Sequence, residues 1–314
     1  MKPSVRTSVL LGVGVVVVSA SVWLCHQPRR QREIVAATPP TSRTNAPPPA
    51  PPGPAPAATG TVPELVRPIV AAVPAATFAE RIKSIHALPA GLSAQEIHAF
   101  YAYLLAPATS RTEDRENENW LRNEMMDKLA EAPGLPVGLA SVLVSIYRDP
   151  GQDIVMRDYA VQHMMPVYAR ASAEEKTILQ QTLWQAAEET GGSIAGTALL
   201  ALRELAQDHP EFELNKLGEA ALKLAGDDRS GELSRITALQ ICGRLGLKEA
   251  APLMLQLART DASIPLQIST IAVLGDLGSE EARNYLRQLA VKPDPRLVPA
   301  LETALKKLNG RLGI

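Results

Sequence analysis

Beyond residue 75, apolar residues recur at the spacing of helices rather than strands. Ile97, Tyr101, Leu104 and Leu105 fall three or four places apart, which puts them on one helical face. Starts are marked as clearly as faces. Ser93-Ala94-Gln95-Glu96 and Ser172-Ala173-Glu174-Glu175 are capping boxes, in which hydroxyl and carboxylate satisfy each other's orphan backbone amides. Asp294-Pro295 reads as an N-cap before a first-turn proline. No segment sustains strand alternation, so the pattern predicts about a dozen helices of roughly 10–17 residues between Ala76 and Leu308.

The helices also repeat. Gly243, Leu245, Gly246, Glu249, Ala250, Leu257 and Ala258 match Gly275, Leu277, Gly278, Glu281, Ala282, Leu289 and Ala290 at one offset of 32. Upstream, Thr197-Ala198-Leu199 with Leu205 matches Thr237-Ala238-Leu239 with Leu245 at an offset of 40. Fixed periods of this size mark stacked supersecondary units.

These residues resemble HEAT repeats, most closely the short bacterial, phycobilisome-lyase-like type, whose second helix reads approximately V-R-x-x-A-a-x-A-L-G. The counterparts here start at Leu121-Arg122, Met156-Arg157, Thr197-Ala198, Ser234-Arg235, Leu266-Gln267 and Leu297-Val298. Arginine stands at 122, 157 and 235 and is replaced by Ala198, Gln267 and Val298, so the copies are degenerate. The resemblance implies an all-α, right-handed α-solenoid of about six HEAT-like helix pairs over 75–314. In such a fold each pair buries its apolar stripe only against its neighbours. Ala160, Ala238 and Ala250 would allow close approach, and Leu239, Leu245, Leu253 and Leu257 would fill the layer. The repeat arginine is expected to donate to carbonyls or an aspartate in the adjoining turn, with Asp153 the partner of Arg157.

The chain begins differently. Residues 9–24 (VLLGVGVVVVSASVWL) are sixteen uncharged, mainly apolar positions after Lys2 and Arg6, the pattern of an export signal or a membrane anchor. Val18-Ser19-Ala20 would suit cleavage near Ala20, whereas Val22, Trp23 and Leu24 prolong the apolar run and favour a retained single-pass anchor. Trp23-Leu24 before Cys25 argues against lipidation there. Arg29, Arg30 and Arg32 balance the basic charges on the other flank, and the likeness to an export signal places the body outside the cytoplasm. Residues 26–74 follow as a Pro/Ala-rich linker. Twelve of the 26 prolines lie between Pro39 and Pro74, and proline's fixed φ and missing donor favour an extended spacer, expected to be disordered.

Composition narrows the chemistry. Twelve aromatics in 314 residues disfavour a β-sandwich, and two cysteines, Cys25 and Cys242, exclude a disulfide scaffold or a four-cysteine zinc site. The net charge of −1 conceals +5 over residues 1–74 and −6 over the body. An acidic body lacks the basic footprint of a nucleic-acid binder. His86, His98, His163 and His209 are isolated from one another, and no H-x-x-x-H, C-x-x-C or phosphate-cradling glycine motif occurs. HEAT-like hydroxylases carry His-Glu pairs for iron, and the sequence holds none. Gly191-Gly192-Ser193 reads as a helix break plus N-cap.

No catalytic, cofactor-binding or metal-binding residue is therefore assigned, no cofactor is expected, and neither is a small-molecule substrate. The expected function is a non-enzymatic, membrane-tethered scaffold for protein partners. The alternative is a HEAT-type enzyme of the bilin-lyase or hydroxylase class. Two features could serve a partner. The run from Glu113 to Trp120 is acidic and ends in an aromatic, although acids also suit a solvated first turn. Met125-Met126 and Met164-Met165 could line a groove, although core packing is the simpler expectation. Cys242 is expected to be an inert buried thiol.

Overall fold

Capping and termination decide where each helix lies. In the computed structural model, which describes residues 62–71, 76–107, 112–260 and 262–312, both expected capping boxes form, at Ser93/Glu96 and Ser172/Glu175. A third, Thr77/Glu80, was not singled out from sequence. Asp153, Ser263 and Ser279 cap further helices. Gly246 and Gly278 end two helices in the left-handed region, at φ of 66° and 73°. A glycine there avoids the Cβ clash, and this accounts for the Gly246/Gly278 match at offset 32.

The described residues contain fourteen α-helices and no strand. In chain order they are α1 (Arg67–Val70), α2 (Phe78–His86), α3 (Ala94–Leu105), α4 (Thr112–Ala130), α5 (Leu139–Arg148), α6 (Ile154–Tyr168) and α7 (Ala173–Ala186). Then follow α8 (Ile194–Leu205), α9 (Leu214–Gly226), α10 (Glu232–Leu245), α11 (Ala251–Arg259), α12 (Ile264–Leu277), α13 (Glu280–Leu289) and α14 (Val298–Leu312). Consecutive helices pack as pairs, and the second helices stack in an unbroken ladder from α2 through α4, α6, α8, α10 and α12 to α14. This is the arrangement of an α-solenoid.

Among the described residues seven pairs are present where about six were expected. The extra one is α1/α2, whose first helix has four residues between Pro63 and the end of its turn, too short to show a period. Val66 and Ile69 are nonetheless fully buried, so the folded body begins before residue 75. The last pair also differs. Asp294 accepts from the Arg296 amide within a turn, and α14 starts only at Val298, so Pro299 rather than Pro295 occupies its first turn.

Small residues do bring helices together. Ala160, Ala238 and Ala250 are fully buried, as is Leu239, while Leu245 and Leu253 pack at the core margin. Helices α12 and α14 approach so closely that a Cβ on Gly275 would meet Ala304 Cα at 2.8 Å. All described residues belong to one compact unit, Thr59–Ile314. The apolar run 9–24, the cleavage position near Ala20 and the linker up to residue 61 lie outside the described residues. Among the described residues no helix is long and apolar enough to cross a membrane.

Candidate functional site

The repeat arginines are structural. Arg157 Nε donates to the Tyr147 carbonyl at 2.7 Å, and its Nη2 donates to Glu189 at 2.5 Å. Asp153, the expected partner, instead caps its own helix and accepts from Asn119 at 3.0 Å. A side chain four places before Arg157 is committed to the first-turn amides, whereas the arginine reaches back to the preceding helix end. Arg235 likewise serves Ala225, at 3.2 Å. Arg122 is almost wholly buried and gathers Glu118, Ala106 and Gln152.

The acidic run on α4 divides in two. Glu118 belongs to the interior, accepting from Tyr103 at 2.9 Å and Arg122 at 2.8 Å. Asp114 and Glu116 face solvent. Trp120 is 54% exposed, lies against Phe78 with ring centroids 5.5 Å apart, and donates from its indole to Glu124. The second oxygen of Glu124 meets His86 at 2.8 Å. The side chain of Glu113 lies outside the description.

The other flagged residues are core. Met125, Met126 and Met164 are fully buried and Met165 packs against them. Cys242 is fully buried, and burial pushes its thiol up to about 11. The glycines 191–192 do break the chain, with Gly192 at φ 63°. Ser193 makes no cap bond, however, because its hydroxyl donates to Asp158. Among the described residues no group of three or more His, Cys, Asp or Glu could hold a metal ion.

Sequence reasoning missed a cleft between α7 and α9. The first helices of neighbouring pairs pack on each other at α3/α5 and α5/α7, but α9 packs mainly on α8 and α10 and meets α7 only sparsely. The cause is the loop joining α8 to α9. Its Phe212 is 2% exposed and edges onto Tyr168 at 5.0 Å, and its Glu211 carbonyl accepts from Gln180 of α7. At the other end Gly231 donates its amide to Thr190. A side chain at 231 is barred there, since a Cβ would come within 2.2 Å of the Gly192 carbonyl. Hydrogen bonds from the loops on either side of α9 thus tie it to α7 and the turn after it at both ends.

Between them lies a cavity of about 230 Å³. Trp184 and Glu188 form one wall, Lys216, Glu219 and Lys223 the other, and Ser230 lines its base. The Lys216 ammonium sits 4.2 Å from the Trp184 ring centroid. Ser230 is 7% exposed and its hydroxyl has no hydrogen-bond partner. Asp227, also in the lining, is gripped by Arg229 at 2.9 Å, which pulls its carboxyl down to about 2.

Residues 217–306 match the family of HEAT repeats. The matched span runs from α9 to α14, and the same pairing of helices continues upstream of these HEAT repeats to α1. No curated protein matches the chain. Among solved structures, human deoxyhypusine hydroxylase in complex with glycerol is similar over 74% of this chain and 97% of that one, at 17% identity and a TM-score of 0.29.

Proposed function

We propose that this protein is a non-enzymatic scaffold that binds protein partners through its HEAT repeats and is held at a membrane by residues 9–24. The observation that carries this reading is the cleft between α7 and α9. Solenoids bind partners along concave surfaces, and this one carries a polar-rimmed cavity with an unsatisfied hydroxyl at its base. At about 230 Å³ the cavity falls below the roughly 300–1,000 Å³ of small-molecule sites and suits a single protein side chain. A photo-crosslinking residue at Glu219 should give protein adducts in native cells, and the same residue at Glu302 on α14 should give none. Absence of adducts at Glu219, or equal yields at both positions, ends the scaffold reading.

The membrane attachment rests on the uncharged run 9–24 and the proline-rich spacer after it. A single-pass anchor with residues 26–314 outside the cytoplasm should give phosphatase activity to a reporter fused after Gly310. A fusion that fluoresces in the cytoplasm reverses the topology. A soluble product shortened to begin near Ser21 replaces the anchor with a cleaved signal.

A further inference from the structure

The chemistry of the cleft identifies what it would hold. The face of an indole carries negative potential and attracts cations. In this protein the ring of Trp184 is already covered, by Lys216 of the same chain at 4.2 Å. Lys216 is exposed, so it can leave the ring by rotating its own stem into water. Three carboxylates line the cavity, Glu188, Glu219 and Asp227, and of these only Asp227 is in an ion pair among the described residues. With Lys216 swung away, two unpaired carboxylates and one ammonium, Lys223, would remain around the ring. Ser230, nine-tenths buried at the base, offers an unused acceptor and donor. An aromatic face, spare carboxylates and a buried hydroxyl make a site for a cation that also donates hydrogen bonds.

We propose that the cleft between α7 and α9 receives an arginine side chain of a partner polypeptide, which displaces Lys216 from the Trp184 ring. Arginine fits better than lysine because its guanidinium is flat, stacks on aromatic faces and is more weakly hydrated. Its five donors can meet a glutamate and a hydroxyl together. Lys216 is then an internal stand-in that keeps the indole covered until the partner arrives. The inference rests on the scaffold reading above and adds the chemical class of the partner.

The test uses the full chain in detergent solution and calorimetric titration with three acetylated nine-residue Ala/Ser peptides, alike except for a central arginine, citrulline or glutamate. The arginine peptide should bind about tenfold more tightly than the other two. Trp184→Leu should weaken it about tenfold and Glu219→Gln several-fold, while Trp184→Phe, which keeps an aromatic face, should retain part of the affinity and guards against misfolding of the leucine variant. Lys216→Ala should tighten binding by more than Lys223→Ala does, since only Lys216 competes for the ring. Equal affinities for the three peptides, no binding of the arginine peptide, or identical effects of the two lysine variants would overturn the proposal. Those results leave the scaffold reading standing, because that reading fails only in the crosslinking experiment.

Discussion

Arg157 donates from Nε to the carbonyl oxygen of Tyr147 at 2.7 Å, one residue before the end of α5. Three other arginines treat the preceding helix the same way. Arg81 reaches Ile69, Arg235 reaches Ala225, and Arg122 reaches Leu104, each acceptor being the penultimate residue of its helix. The last carbonyls of a helix have no partner within it, and a cation at that end also opposes the helix dipole favourably. Where it is present, in four of the seven pairs among the described residues, the arginine is therefore a C-terminal cap delivered from the second helix.

Removing that cap should cost according to burial. Arg157→Ala is expected to lower stability by about 2 kcal/mol, the value of a charge-assisted hydrogen bond. Arg157→Lys should recover only part, because one ammonium cannot serve Tyr147 and Glu189 in the geometry of a fork. Arg122→Ala should cost more, about 3–5 kcal/mol, since the side chain is 3% exposed and its loss takes from Glu118 the nearer of its two arginines. Urea unfolding midpoints at constant slope measure all three. Equal losses at 122 and 157 would refute the ordering.

Two glycines equivalent at offset 32 should respond in opposite ways. A Cβ at Gly275 meets the Ala304 backbone and side chain at 2.8 Å, so Gly275→Ala should destabilise by about 1–3 kcal/mol. At Gly243 the nearest atom is the Val273 Cγ2 at 3.3 Å, an end that can shift. Gly243→Ala should be neutral, or stabilise by up to about 0.5 kcal/mol through helix propensity. Thermal midpoints of the two variants decide it.

Phe212 should hold α9 in place. Phe212→Ala removes a ring packed edge-on to Tyr168 and is expected to cost about 3–5 kcal/mol. The loss should be local in part. Hydrogen exchange of the α9 amides, 214–226, should quicken more than that of α12, because α9 packs only sparsely on α7 and Phe212 lies in the loop that leads into it. Uniform quickening would mean that the loop does not set the cleft.

How much of this was legible depends on sequence distance. The two capping boxes are local signals, read correctly because residues three apart determine them, and the offset-32 match was legible as a direct repetition of residue types, although the helix-ending role of Gly246 and Gly278 within it was not seen. The core positions Met125, Met126, Met164 and Cys242 followed from helical spacing. Arg157 was recognised as structural but given the wrong partner, since Asp153 is near in sequence while Tyr147 and Glu189 are near in space. Helix α1 was missed because four residues carry no period. The cleft was missed for a stronger reason. It depends on Phe212, His209 and Glu211 meeting Tyr168 from a loop more than forty residues later, and nothing in either stretch announces the other. The one available hint was the spacing of 41 between Met156 and Thr197, the longest of the series.

The pair His163 and Asp127 should shape the dependence of stability on pH. His163 is 4% exposed, and burial lowers its pKa to about 4 from 6.5. Its Nε2 faces Asn123 Oδ1 at 3.0 Å, so that nitrogen carries the hydrogen, and Nδ1 faces Asp127 at 3.8 Å. Between pH 6.5 and 4 the unfolded chain takes a proton that the folded imidazole refuses. Its contribution is thus present above pH 6.5 and lost as pH falls to 4, on the order of 3 kcal/mol. Asp127 runs the other way. Burial, then Glu124 and Glu131, raise its carboxyl to about 6 from 3.8, so its contribution is present below pH 3.8 and lost as pH rises to 6. Its side chain is 43% exposed and solvent screens it, making it the smaller of the two. Denaturant midpoints measured from pH 4 to 7 should therefore fall on acidification in the parent protein. They should fall more steeply in Asp127→Asn, which removes the opposing group. In His163→Asn the decline should flatten or reverse. Parallel curves for the three proteins would show that neither group changes its proton on folding.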